Sequence, residues 1–192
     1  GIYFAMKHTI KFSLWAGVIL LLLSSSLRTF AAYSIFLRLD GIEGEATNSD
    51  FENQIVVTSF SHGMSIPAPT GGSSGPGTSK PTFTDLTITK SLDKASPLLC
   101  LNCAQGKVIK TASLTLCEQD EGKPTVFYTI KLGQVLITSV QSSGNSGSDS
   151  RPGETITLNF SLIDCKYVPQ NPDGTAGTPV EFSWNVATNT KS

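Results

Sequence analysis

Short stretches in which apolar and polar residues alternate set the limits on how this 192-residue chain can fold. Residues 156–162 place an apolar side chain at every second position, and residues 180–186 do the same. Alternation with a period of two is typical of β-strands that bury one face. Runs of Gly, Ser, Thr and Pro separate such stretches, and only 15% of the residues are charged. The pattern therefore predicts a mainly β chain with many turns.

Further strands are predicted wherever β-branched and aromatic residues cluster between turn residues. The stretch at residues 125–140 is long enough for one strand or two, and Gly133 is a candidate bend or bulge within it. Residues 118–124 are interpreted as a polar turn. The predicted strands lie at residues 33–40, 54–61, 82–89, 109–117, 125–140, 154–167 and 180–186.

One helix is predicted after residue 95. Ser96 can cap it, Pro97 suits its first position and Gly106 can end it. Its apolar side is expected to be formed by three leucines, Leu98, Leu99 and Leu101. About eight strands and one helix indicate a β-barrel or sandwich of two antiparallel sheets with a helix on one side.

The beginning of the chain is interpreted as an export signal. Met6 is the expected start, and residues 1–5 are taken as vector-derived or read-through sequence. A short basic region precedes an apolar run at residues 12–23, which is too short to span a bilayer comfortably and fits a secretory signal peptide. Cleavage is predicted after Ala31, with cleavage after Ala32 less favourable.

This interpretation divides the chain into a leader, residues 1–31, and a mature β-domain, residues 32–192. The mature domain is expected to be exported, to the periplasm or outside the cell, with no stable membrane span. An uncleaved membrane anchor is the alternative for the leader.

The charge balance argues against a nucleic-acid partner. The chain has 14 basic and 15 acidic residues. Removal of Lys7, Lys11 and Arg28 with the leader leaves 11 basic residues against 15 acidic ones. Proteins that bind phosphate backbones need an excess of basic residues.

Four cysteines leave several pairings open. Cys100 and Cys103 form a C-x-x-C inside the predicted helix, but Cys117 and Cys165 are too far apart in sequence to supply the second close pair of a zinc site. A thioredoxin-like redox pair would lie at a helix N-terminus. In an oxidising compartment disulfides are favoured, and Cys117 and Cys165 are a candidate pair across neighbouring strands or between subunits. In a reducing compartment all four are expected to be small buried residues.

No catalytic or cofactor site is predicted. His62 is the one histidine left after removal of the leader, and it is interpreted as a half-buried ring satisfied by the backbone. Acid pairs such as Glu43 with Glu45 and Asp149 with Glu154 are expected to lie solvated in turns. Trp184 is expected to pack in the core.

Seven segments, in the same order along the chain, resemble the haemolysin-coregulated protein (Hcp) family of type VI secretion. They cover nearly all of the predicted mature chain, with matching spacers. The segments are IFLRLDGIEGE (35–45), SFSHGMS (59–65), FTDLTITK (83–90), LDKASPL (92–98), ETITLNF (154–160), YVPQ (167–170) and FSWN (182–185).

The resemblance implies a β-barrel of two sheets with one side helix, and a structural rather than enzymatic role. By the same resemblance, six copies are expected to close into a ring, and rings to stack head to tail into a tube whose lumen can hold small effectors. Spike, sheath and effector proteins of type VI secretion are the other implied partners. The resemblance also makes the Gly- and Pro-rich loop at residues 65–80 the ring-stacking arm, through Ser65, Pro67, Pro69, Gly71, Gly72, Gly75, Pro76 and Lys80.

The predicted leader departs from the family, whose members assemble in the cytoplasm. Two hypotheses follow. One is a self-assembling tube subunit, and the other is an exported paralogue that acts as a monomeric binding module or effector outside the tube.

Overall fold

The computed structural model describes residues 32–67, 80–120, 123–148, 150–171 and 173–192. These residues belong to one unit, Ala32–Ser192. The predicted leader, with Ala31, lies outside the described residues, and Ala32 is the first of them.

Twelve strands and one helix occur within these residues, and every strand pairing is antiparallel. In chain order they are β1 (Tyr33–Leu39), β2 (Ile55–Val57), β3 (Ser59–Ser61), β4 (Met64–Ser65), β5 (Thr82–Phe83), β6 (Leu86–Ser91), α1 (Ser96–Gln105), β7 (Val108–Asp120), β8 (Lys123–Ser143), β9 (Gly153–Asn159), β10 (Leu162–Tyr167), β11 (Val180–Asn185) and β12 (Thr190–Lys191).

The predicted barrel is confirmed, and residues 54–61 pair with two different strands of it. Pairing runs from β1 through β7, β8, β9 and β6 to β3. The circuit returns to β1 through β2, which precedes β3 directly. At the junction the Thr58 backbone N–H donates to the Thr89 carbonyl over 2.8 Å. The predicted strand at residues 54–61 is thus divided into β2, which pairs with β1, and β3, which pairs with β6.

β8 is the element that joins the barrel to the rest of the sheet. Along one side it pairs with β7, while along the other it pairs first with β10 and then with β9. The change from β10 to β9 occurs at Gly133, where an added Cβ would lie 2.9 Å from a Leu162 methyl carbon. Gly133, a predicted bend or bulge, therefore lies where the partner of β8 changes from β10 to β9, and we call β10, β11 and β12 the wing.

The main core fills the barrel, because each strand turns its alternate apolar residues inward. These side chains are all fully buried: Leu37, Ile55, Ile88, Leu114, Ile137 and Ile156. A smaller cluster of Phe36, Ala46, Phe51 and Cys117 lies on the other face of β1 and β7, with the two phenyl rings stacked at 4.4 Å.

Several predicted boundaries were wrong for identifiable reasons. The expected turn at residues 118–124 is mostly strand, since Gln119 pairs with Pro124 and Asp120 with Lys123. The expected strand at residues 154–167 breaks after Asn159. That break changes the alternation, so Ile163 is buried while Leu162 is partly exposed.

The helix has the predicted span but not the predicted cap or apolar face. Ala95 occupies the N-cap position without a side-chain cap, while Gly106 ends the helix in the left-handed conformation, as expected. Of the three leucines only Leu99 is buried. Leu98 and Leu101 are exposed, because they flank the single stripe that faces the barrel.

Candidate assembly surface

A short hairpin stem carries the segment predicted to be the ring-stacking arm. Met64 pairs with Phe83, and Ser65 pairs with Thr82. Thr84 closes the base of the stem, since its Oγ1 accepts a 2.8 Å hydrogen bond from the Gly63 N–H. Ser65, Pro67 and Lys80 lie in the described stem and its flanks, whereas Pro69, Gly71, Gly72, Gly75 and Pro76 lie outside the described residues.

An apolar surface surrounds the base of this stem. We call it the arm-root patch, and it consists of Met64, Ile66, Pro81, Phe83, Phe182 and Trp184, which together with Ser65 line a cavity of about 310 Å³. The Met64 and Ile66 side chains are 56% and 60% exposed. Exposed apolar side chains that border an apolar cavity are typical of a protein-binding surface.

Aromatic rings form the floor of the patch. The Phe182 ring lies 6.5 Å from both the Phe83 ring and the Trp184 ring, and the planes of Phe182 and Trp184 differ by only 8°. Trp184 packs at the edge of the main core rather than inside it. Its Nε1 is buried, yet it has no hydrogen-bond acceptor among the described residues.

His62 lies just before the stem, and within the described residues its Nε2 lacks the predicted backbone partner. Its Nε2 is buried without a hydrogen-bond partner in the described part of the chain. The ring instead packs 5.9 Å from the Phe160 ring. Burial lowers the pKa of His62 below its usual value, so the neutral imidazole is favoured.

A buried ion cluster fixes the helix to the barrel. Lys90 Nζ donates to Glu154 Oε2 at 2.8 Å across the β6–β9 pair, and it also lies 2.7 Å from Asp93 Oδ1. Ser96, at the start of α1, donates its hydroxyl to Glu154 over 2.5 Å. Ser142 on β8 donates to the other Glu154 oxygen. Four elements are thus joined through two buried charges.

Glu154 was expected to be a solvated turn residue, and that expectation was wrong. Lys90 and Glu154 are each only 2% exposed. Burial by itself would raise the pKa of the Glu154 carboxyl, but hydrogen bonds from Lys90, Ser96 and Ser142 outweigh it and lower that pKa. The signal was present in the sequence, since Lys90 shares the buried parity of Leu86 and Ile88.

The predicted pairing of Cys117 and Cys165 across neighbouring strands was also wrong. Cys117 is on β7 and Cys165 on β10, and β8 lies between them. Cys117 belongs to the smaller cluster, whereas Cys165 packs against the main core, so the two thiols lie on opposite faces of the sheet. Burial raises the pKa of the Cys165 thiol, which favours its protonated form.

Two other kinds of feature are absent from the described residues. They contain no group of three or more His, Cys, Asp or Glu side chains arranged to hold a metal ion. Their single helix is too short and too polar to cross a membrane.

Comparisons with known proteins agree on one family. The family model described as "Type VI secretion system effector, Hcp" matches residues 36–167. Protein hcp1 of Pseudomonas aeruginosa is 33% identical over 162 residues, covering 84% of this chain and 99% of that protein. A solved structure of a type six secretion system protein has a TM-score of 0.78 at 31% identity, covering 84% of this chain and all of that one. Hcp1 from Salmonella typhimurium has a TM-score of 0.69 at 28% identity, with coverage of 84% and 99%.

Proposed function

This chain belongs to the Hcp family of type VI secretion proteins, and on that premise we propose that it is a structural, non-enzymatic tube subunit. Six copies form a ring, and rings stack head to tail. Stacking of this kind is heterologous, since different surfaces of the two copies meet. The protein is exported, to the periplasm or outside the cell, and spike, sheath and small effector proteins are its further partners.

The arm-root patch is the observation that carries this proposal. Met64 and Ile66 are exposed on a stem too short to bury them. A second copy that covered these two side chains would remove their apolar area from water, which favours association. The segment at residues 65–80 is the proposed ring-stacking arm.

The test is the mass in solution, measured by light scattering over a range of protein concentrations. We expect a species of six subunits at low concentration and multiples of six at higher concentration. The double variant Met64→Ser with Ile66→Ser is expected to keep the ring and lose the stacked species. Val56→Ser, which changes an exposed apolar residue on β2, is the matched control and is expected to stack normally.

Stacking that is unchanged in the double variant would refute the role of the patch. A wild-type protein that stays monomeric at every concentration would refute the tube proposal, and it would favour the exported binding module or effector.

A further inference from the structure

Two thiols on α1 lie outside the arm-root patch. Cys100 is exposed, Cys103 is partly buried against the main core, and both are free. They stand three residues apart on a helix that is regular from Ser96 to Gln105. Side chains at this spacing are neighbours on the helix surface, with their Cβ atoms about 5–6 Å apart.

This separation does not suit a disulfide between the two residues. A disulfide needs Cβ atoms about 3.5–4.5 Å apart, so closing one here would distort the helix. A metal ion bound between two sulfurs allows a larger separation than a disulfide does. Metal–thiolate bonds of about 2.3 Å place the two sulfurs up to about 4.6 Å apart. The helix therefore favours a bridging ion over oxidation.

The helix also holds the two thiols in place. Leu99, the residue before Cys100, is fully buried. Asn102 is buried as well, and its side chain donates to the Leu98 carbonyl over 2.7 Å while its own carbonyl accepts from the Lys107 N–H. A ligand pair on a rigid, well-packed element loses little freedom when an ion binds.

The number of ligands decides the kind of ion. A structural zinc ion takes four ligands, and the described residues offer no third His, Cys, Asp or Glu at this place. Soft thiolates select soft ions such as Cu(I). We propose that Cys100 and Cys103 form a two-thiolate site for a soft monovalent cation, with Cu(I) as the probe. Each thiol loses its proton to solvent as a copper–sulfur bond forms, and copper remains in the +1 state.

The experiment is an anaerobic titration of the reduced full chain with Cu(I) against the chromogenic chelator bicinchoninate. We expect a single tight Cu(I) per chain. Cys100→Ser and Cys103→Ser are each expected to weaken binding at least about a hundredfold, since even changes to residues that only support a ligand cost 10–100-fold. Cys165→Ser, which removes another partly buried free thiol, is the matched control and is expected to bind like the wild type.

Tight binding that survives either serine variant, or no tight binding at all, would overturn the proposal. X-ray absorption that showed fewer than two copper–sulfur bonds would do the same. Light scattering of the metal-free variants keeps this result separate from assembly, because both variants are expected to form rings.

Discussion

Lys90 and Glu154 bring opposite charges into an interior that is otherwise apolar. Desolvation of the two groups is offset only while both are present and hydrogen-bonded. The pair also lies where β6, β8, β9 and α1 meet. Its main effect is therefore to fix where the helix begins, because a helix shifted along the barrel would leave a buried charge without its partner.

Removal of one partner is expected to be more harmful than removal of both. Glu154→Gln alone is expected to lower the free energy of unfolding by up to about 3–5 kcal/mol, the usual result when one partner of a buried ion pair is removed. The loss is reduced to the extent that Asp93, whose Oδ1 lies 2.7 Å from Lys90 Nζ, still balances the lysine charge. Lys90→Met combined with Glu154→Leu is expected to lose less. Urea denaturation measures both, with Lys94→Met as the control, since the exposed Lys94–Glu43 pair contributes about 0–1 kcal/mol. A double variant less stable than Glu154→Gln would contradict this account.

His62 gives the fold a pH dependence of predictable sign. Its pKa is lowered in the folded protein by burial, so the unfolded chain binds the proton first as the pH falls. The stabilising contribution is therefore present above the ordinary histidine pKa of about 6.5 and is lost as the pH drops below it.

We expect the difference in unfolding free energy between wild type and His62→Phe to shift against the wild type between pH 7.5 and pH 5.5. The phenyl ring keeps the packing against Phe160 but does not titrate. Chemical denaturation at the two pH values measures the difference. A difference that does not change with pH would show that the imidazole is as readily protonated in the fold as in water.

Among the elements, α1 shows how far the sequence predicts this structure. Its position and its end at Gly106 follow from local chemistry, which needs only neighbouring residues. Its buried face does not, because Leu98, Leu99 and Leu101 are equally apolar and only the barrel decides which of them is covered. The same holds for the strands. Their positions could be predicted from the alternation of apolar residues, but the change of partner of β8 at Gly133 depends on contacts distant in sequence.

Substitution of the three leucines by alanine separates these roles. Leu99→Ala is expected to cost about 2–5 kcal/mol of unfolding free energy, as for other fully buried leucines. Leu98→Ala and Leu101→Ala are expected to stay within about 0.5 kcal/mol of the wild type, as exposed positions do. Thermal unfolding of the three variants provides the measurement. Equal losses at all three positions would mean that the outer face of α1 is covered in solution.

At the scale of the whole molecule, β8 makes the barrel and the wing one cooperative unit. A single strand of 21 residues supplies the partner for β7, β9 and β10, so neither part can lose it alone. Cooperative unfolding without intermediates is expected of such an arrangement.

Trp184, on the wing, allows a direct test. In a Trp15→Phe background it is the remaining tryptophan. We expect its fluorescence and the far-ultraviolet circular dichroism, dominated by the barrel, to give the same denaturation midpoint. A fluorescence transition that comes earlier would show that the wing unfolds before the barrel does.

The wing also ends in an open edge. β12 pairs only with Trp184 and Asn185, so the outer side of Val180–Ser183 has no strand beside it within the described part of the chain. Such an edge is a template for any extended chain, and proteins commonly guard it with charge. Glu181 is the one charged residue on this stretch, and its carboxylate already contacts Lys166. We therefore expect the isolated subunit to be prone to edge-to-edge strand pairing at high concentration.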